Sequence, residues 1–253
     1  MTKVTFCCTI FLATILFRPV LAQKNVRDSC VSMGIASFGY MAQLPGADLA
    51  DRFGFSNSLA IYGGYKLDNN WSFGLSYHFQ FGSLVQENDM LDDMRTSEGF
   101  ILNSNGLPAN VLLFQRGHVG QAHIGKLFPW IGPNPNAGVL FRFGMGYWTH
   151  RIRIEHINDA IPQLEGEYKK GYDRMAGGMI LSQFIGYQHT SNNRLINFYA
   201  GFEFWQGIMQ PLRSYQYDLM GPEEGSRFDL NFGIKAGWIL PIYKRPPPEY
   251  MFN

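Results

Sequence analysis

Between Trp71 and Gly82 the chain reads WSFGLSYHFQFG, with an apolar residue at every odd position from Trp71 to Phe81. Ser72, Gly74, Ser76, His78 and Gln80 lie between them. A period of two sends alternate side chains to opposite faces of a strand, so this stretch predicts a strand with one oily and one polar face. The pattern returns along the chain. Leu59, Ile61, Tyr65 and Leu67 share one face of residues 58–67. Val139, Phe141, Phe143, Met145 and Tyr147 share one face of a fifth strand, opposite Arg142, Gly144 and Gly146. Ile196, Phe198, Ala200, Phe202 and Phe204 do so in a seventh, against Asn197, Gly201 and Glu203. An eighth sets Phe228, Leu230, Phe232, Ile234, Ala236 and Trp238 against Asp229, Asn231, Gly233, Lys235 and Gly237. Less regular stretches at 31–39, 114–128 and 175–188 complete eight strands, and Gln183 interrupts the apolar face of the last of these.

The connections alternate in length. Residues 67–70 (LDNN), 129–136 (PWIGPNPN) and 190–193 (TSNN) are short and made of turn formers. Residues 40–57, 83–110, 154–172 and 207–225 are long. Short turns at one end and long loops at the other, with an even number of antiparallel strands, describe a transmembrane barrel. Alternation alone also fits a soluble barrel with its apolar side inward. However, the face opposite the aromatics carries Gly, Ser, Asn and few charges, whereas a water-facing surface is rich in Lys and Glu. The aromatics are therefore expected to face lipid, in an all-β, eight-stranded antiparallel barrel.

Near the end, Lys235, Gly237, Leu240 and Ile242 fit a polar-x-Gly-x-x-hydrophobic-x-hydrophobic pattern. It resembles the terminal-strand signal read by outer-membrane assembly machinery. The chain as a whole resembles the small eight-stranded outer-membrane barrels of the OmpA/OmpX type, and its style is similar to members from Bacteroidota. The resemblance covers residues 30–243 as pattern and topology. It implies the bacterial outer membrane, contact with its lipid and lipopolysaccharide, and both chain ends in the periplasm.

Composition sharpens this. Residues 1–22 read as a cleaved signal peptide: Lys3, the apolar run VTFCCTIFLATILF, then VLA before Gln23. Residues 23–30 become a periplasmic lead-in, 31–243 the barrel and 244–253 a Pro-rich periplasmic tail, in which Pro246–Pro248 cannot join a ladder. Removing Lys3 and Arg18 from the 21 basic residues leaves 19 against 20 acidic ones, so no basic surplus points to nucleic acid. Of three cysteines only Cys30 remains, which precludes an internal disulfide.

An eight-stranded barrel has an interior just wide enough for side chains to fill. Lys66, His78, Arg142, Glu203, Asp229 and Lys235 fall on the inward face and are expected to form a structural polar network rather than a pore. His189, Ser191 and Asn192 with Glu203 are similar to the His-x-Ser-Asn…Glu arrangement of the outer-membrane lipid A 3-O-deacylase family. That resemblance implies Ser191 as nucleophile, His189 as base and Glu203 as the group orienting it. In the family the motif straddles an outward loop, whereas here it brackets a short turn on the periplasmic side. The histidines give no metal-ligand set, and no cofactor is expected. The loop at 207–225 is long and apolar, carrying Ile208, Met209, Leu212, Tyr215, Tyr217, Leu219 and Met220, which suggests a docking surface. The leading expectation is a non-enzymatic accessory subunit of a larger envelope assembly for secretion, uptake or barrel assembly. A lipid A deacylase-like hydrolase and a free-standing adhesin or receptor are the alternatives.

Overall fold

The computed structural model describes residues 26, 28–87, 89–156, 160–191 and 195–242. The expected signal segment 1–22, the tail 244–253 and Asn192 lie outside the described residues.

Strands form where side chains alternate. β1 (Met33–Ala47), β2 (Ser56–Lys66) and β3 (Trp71–Gly82) come first, and a small hairpin of β4 (Ile101–Leu102) and β5 (Pro108–Ala109) lies in the loop after them. β6 (Val111–Phe128), β7 (Gly138–His156), β8 (Ala176–His189), β9 (Phe198–Pro211) and β10 (Arg227–Ile242) follow. The eight long strands close into one antiparallel barrel in the order β1-β10-β9-β8-β7-β6-β3-β2. Closure comes from β1 and β10, paired from Gly34↔Ile242 to Ala47↔Asp229. The turn between β2 and β3 is tight: the Leu67 N–H donates to the Trp71 carbonyl at 2.8 Å, and Asn70 takes φ 67°, a left-handed value that Asn tolerates.

Boundaries differ from the sequence reading at both ends: β9 begins at Phe198, which leaves Ile196 in the turn, and three strands run farther toward the loops. β1 runs to Ala47, not to Gly39, so its link to β2 spans only 48–55. The small residues and Pro45 read as loop, yet the β2 ladder has already ended at Gln43↔Ser56, leaving the Pro45 nitrogen no ladder bond to break on that side. β7 continues to His156, where the sequence reading placed a loop from 154. β9 continues to Pro211, so Ile208 and Met209 belong to the wall and not to a loop. Both keep the strand's alternation: Ile208 points outward and Met209 is buried inside.

The outer wall is apolar. Leu75 is 67% exposed and Phe143 59%, while Ser58, His78, Gln80 and Asn231 are buried within. That is the reverse of a water-soluble barrel and makes this a transmembrane one. Where glutamines of neighbouring strands meet on the outside they pair, as hydrocarbon demands. Gln183 in β8 and Gln206 in β9 exchange two amide hydrogen bonds, at 3.0 and 3.1 Å. β6 and β7, with 18 and 19 residues, exceed the roughly 9–11 that a tilted membrane strand needs. Their loop-side ends therefore rise above the apolar belt.

Inside, a polar band lies between two apolar layers. The layer at the turn end includes Val31, Met33, Tyr62, Leu127, Leu140, Phe184, Tyr199 and Ile239. The layer at the loop end packs Trp148, Trp205, Ile152 and Met209 of the wall against Leu49, Phe53, Met90, Leu91, Ile161 and Leu164 from the connections. The lumen is filled, with the Trp148 and Trp205 rings 5.7 Å apart across it.

Candidate functional site

The inward residues do not join into one network. Lys235 and Glu203 sit two positions apart in register on β10 and β9, and their charged ends meet at 2.7 Å. Buried this deeply, each charge depends on the other. The sequence reading put Arg142 in one network with this pair; instead its guanidinium lies over the Tyr62 ring, 4.4 Å from the centroid, with Phe184 and Tyr199 close by. Those rings project from β2, β8 and β9 at the same level, so the cation is held by aromatic faces. His78 stands edge-on to Trp205 at 5.0 Å. Gly64 and Gly74 leave room for Tyr62, since a Cβ on either would come within 2.5 Å of its phenol end.

Lys66 and Asp229 lie at opposite ends. At the turn end, Asn136 is a hub: its Oδ1 accepts from the Lys66 ammonium and the Val31 N–H, both at 2.9 Å, and its Nδ2 donates to the carbonyls of Val26 (2.9 Å) and Ser29 (2.8 Å). At the loop end, Asp229 meets the His150 Nε2 at 2.7 Å, with the Arg227 Nε 3.7 Å away. Of the C-terminal motif, Lys235 and Gly237 face the lumen, where Gly237 makes room for the Tyr199 ring, while Leu240 and Ile242 face outward.

The hydrolase triad is not assembled. His189 ends β8 on the outer face, stacked on Phe198 with centroids 5.3 Å apart. Ser191 donates its hydroxyl to the Ile196 carbonyl at 3.2 Å. Glu203 pairs in register with Phe184, five residues up β8 from His189, and is turned into the lumen toward Lys235. The barrel wall separates it from His189. Among the described residues no group of three or more His, Cys, Asp or Glu is gathered to hold a metal.

The loop end carries the arrangement that sequence reasoning missed. Arg52, in the one-turn helix Asp48–Arg52, is fully buried and donates to Glu87 (3.0 Å), the Arg174 carbonyl (3.0 Å) and Glu223 (2.7 Å). One guanidinium thus ties together all four loop-side connections: β1–β2, β3–β6, β7–β8 and β9–β10. Burial alone would lower the Arg52 pKa, but the two carboxylates outweigh it and hold it above its ordinary value. Around it, Arg174 pairs with Asp218, and Arg213 grips Asp173 through both carboxylate oxygens at 2.8 and 2.5 Å. The Arg213 pKa is raised, chiefly by its hydrogen bond to Asp173. No spacing in the sequence signals this clamp, because its members lie up to 171 residues apart.

Above the clamp the surface is apolar and aromatic. Tyr217 stands at the centre of a tyrosine cluster, with the ring centroids of Tyr215, Tyr172 and Tyr168 at 5.5, 5.3 and 6.3 Å from its own. Leu212 and Leu219 are exposed beside them, and Met220 is 79% exposed. Of the seven residues expected to dock a partner, these three and the two tyrosines Tyr215 and Tyr217 lie on the loop crown.

No family model matches the chain, and no curated protein matches it. Solved structures do. Ail, the attachment invasion locus protein of Yersinia pestis, is 9% identical, covering 83% of this chain and 99% of its own, with a TM-score of 0.44. A structure of Ail in complex with the heparin analogue sucrose octasulfate has the same identity and coverage and a TM-score of 0.43. The outer membrane protein OprG from Pseudomonas aeruginosa is 10% identical, covering 86% of this chain and 99% of its own, with a TM-score of 0.31.

Proposed function

We propose that this chain is a non-enzymatic outer-membrane barrel, loops outward and chain ends in the periplasm, that serves as an accessory subunit of a larger envelope protein assembly. The observation that carries the reading is the clamp at Arg52. It fixes four connections into one preformed crown, and a preformed surface loses less conformational freedom on binding. The crown displays tyrosines and Met220, residue types that protein interfaces favour. The filled lumen and the separation of His189 from Glu203 favour docking over transport or lipid hydrolysis.

Mild detergent extraction of a tagged copy tests this. The expected result is a particle much larger than one 28.8 kDa chain, whose companions are lost when Tyr215 and Met220 are both changed to Ser. A lone particle, or companions indifferent to those changes, overturns the reading. The hydrolase alternative is tested separately: Ser191→Ala is expected to leave lipid A acylation in the membrane unchanged.

A further inference from the structure

On the outer wall, where β6 and β7 rise above the apolar belt, Arg116 and Arg151 are directly opposed in register, and Phe114↔Arg153 follows two pairs farther toward the loops. All three arginines point away from the lumen. Like charges set directly opposite one another on a sheet are destabilising. Lys169 and Lys170 of the β7–β8 connection close the same groove, a space of about 430 Å³ whose membrane-side wall is Phe79.

Among the described residues, local carboxylates do not balance these five cations. Glu155 takes Arg153 at 2.6 Å and Glu167 takes Lys170 at 2.7 Å. Asp173 is 3.8 Å from Arg151 but is gripped by Arg213. Arg116 donates to the Gln115 carbonyl at 2.8 Å and has no carboxylate partner among the described residues. Just toward the membrane, Tyr77 bonds His118 at 2.6 Å, and Tyr147, Met145 and Phe143 begin the exposed belt. The groove therefore borders the apolar belt on its loop side.

We propose that this rim groove binds a phosphate group of the glycolipid in the surrounding outer leaflet, the guanidinium groups of Arg116, Arg151 and Arg153 gripping the phosphate oxygens and the two lysines supplying further positive charge. Guanidinium forks match phosphate geometry, and a phosphate between them turns the cross-strand repulsion into attraction. The proposal rests on the loop-outward orientation given above, yet it is read by lipid binding alone, so its outcome is separate from whether partner proteins dock on the crown.

The full chain in phosphatidylethanolamine nanodiscs is titrated with diphosphorylated lipid A, with lipid A stripped of its phosphates, and with inorganic phosphate, and bound lipid is counted by native mass spectrometry. Diphosphorylated lipid A is expected to bind at least ten-fold more tightly than the stripped form and to resist displacement by millimolar inorganic phosphate. The triple change Arg116→Gln, Arg151→Gln, Arg153→Gln is expected to remove that preference, while Lys126→Gln at the opposite rim leaves it intact. The loop pair Lys169→Gln, Lys170→Gln, which leaves the strands untouched, is expected to weaken it several-fold and serves if the triple variant does not fold. Equal binding of both lipid A forms overturns the proposal, as does full displacement by inorganic phosphate, which would mark a general anion site. An unchanged preference in the folded triple variant, or in the lysine pair, also overturns it.

Discussion

The two ends of the barrel are closed by different physics. The turn end is sealed by wall residues and a lead-in segment gathered around one neutral side chain, Asn136, whose four hydrogen bonds reach the Lys66 ammonium and the backbone. The loop end is sealed by apolar residues brought in from the connections and held by a buried cation, Arg52, between two carboxylates. Losing a neutral amide hub orphans polar groups but breaks no buried charge pair, and Lys66 still donates to the Val31 and Leu67 carbonyls. A buried charge cluster is less forgiving: removing its centre takes from two carboxylates the cation that each holds most closely. The turn end should therefore fail gradually, and the loop end all at once.

The largest expected effect is that of Arg52→Ala. It removes the close cation from Glu87 and Glu223, leaving only the longer contacts to Arg174 (3.5 Å) and Arg227 (3.7 Å), and should cost about 3–5 kcal/mol, read by urea unfolding in lipid vesicles. The crown should also open, exposing the 83–110 and 212–226 connections to protease. If the loops stay protected, the clamp is not what holds them. Glu203→Leu in the central band should cost a similar amount, about 3–5 kcal/mol, because Lys235 is left alone. Adding Lys235→Met should recover most of that loss without touching the loops, which separates wall stability from crown order. Asn136→Ala should cost less, about 1–3 kcal/mol for the polar groups it orphans. It should leave the crown's protease resistance unchanged, and a loss as large as that of Arg52→Ala would erase the contrast between the ends.

How far the sequence could be read follows the same division. The alternation from Trp71 to Gly82 determines which side of β3 meets lipid, because the period of two is a local property. Phe143 and Leu75 take their outward places for that reason, and so do the inward positions of Glu203 and Lys235. Arg52 carries no such mark: it sits in a short stretch of mixed character, and its partners come from loops farther along the chain. Arg142 shows a subtler gap. Its inward direction was legible, but its choice of Tyr62 over Glu203 depends on the level at which strands stagger around the ring, which pattern alone does not encode. His189 and Glu203 fail in the opposite sense. They are close in sequence and share a known spacing, yet period two puts them on opposite sides of the wall.

The smallest expected effect probes the belt between the two ends. Gln183 and Gln206 face hydrocarbon and satisfy each other, so the pair lets the wall carry polar groups where lipid offers none. Gln183→Leu leaves the Gln206 amide unpaired, and comparable hydrogen bonds in membranes are worth on average about 0.6 and at most about 1.7 kcal/mol. Changing both residues to Leu should restore the loss or better it, since nothing polar then remains to satisfy. A single change as costly as the loss of Arg52 would mean that these amides meet more than each other, and that this stretch of wall faces a protein rather than lipid. If the double Leu variant is stable yet loses its companions on extraction, the docking surface extends from the crown down the outside of β8 and β9.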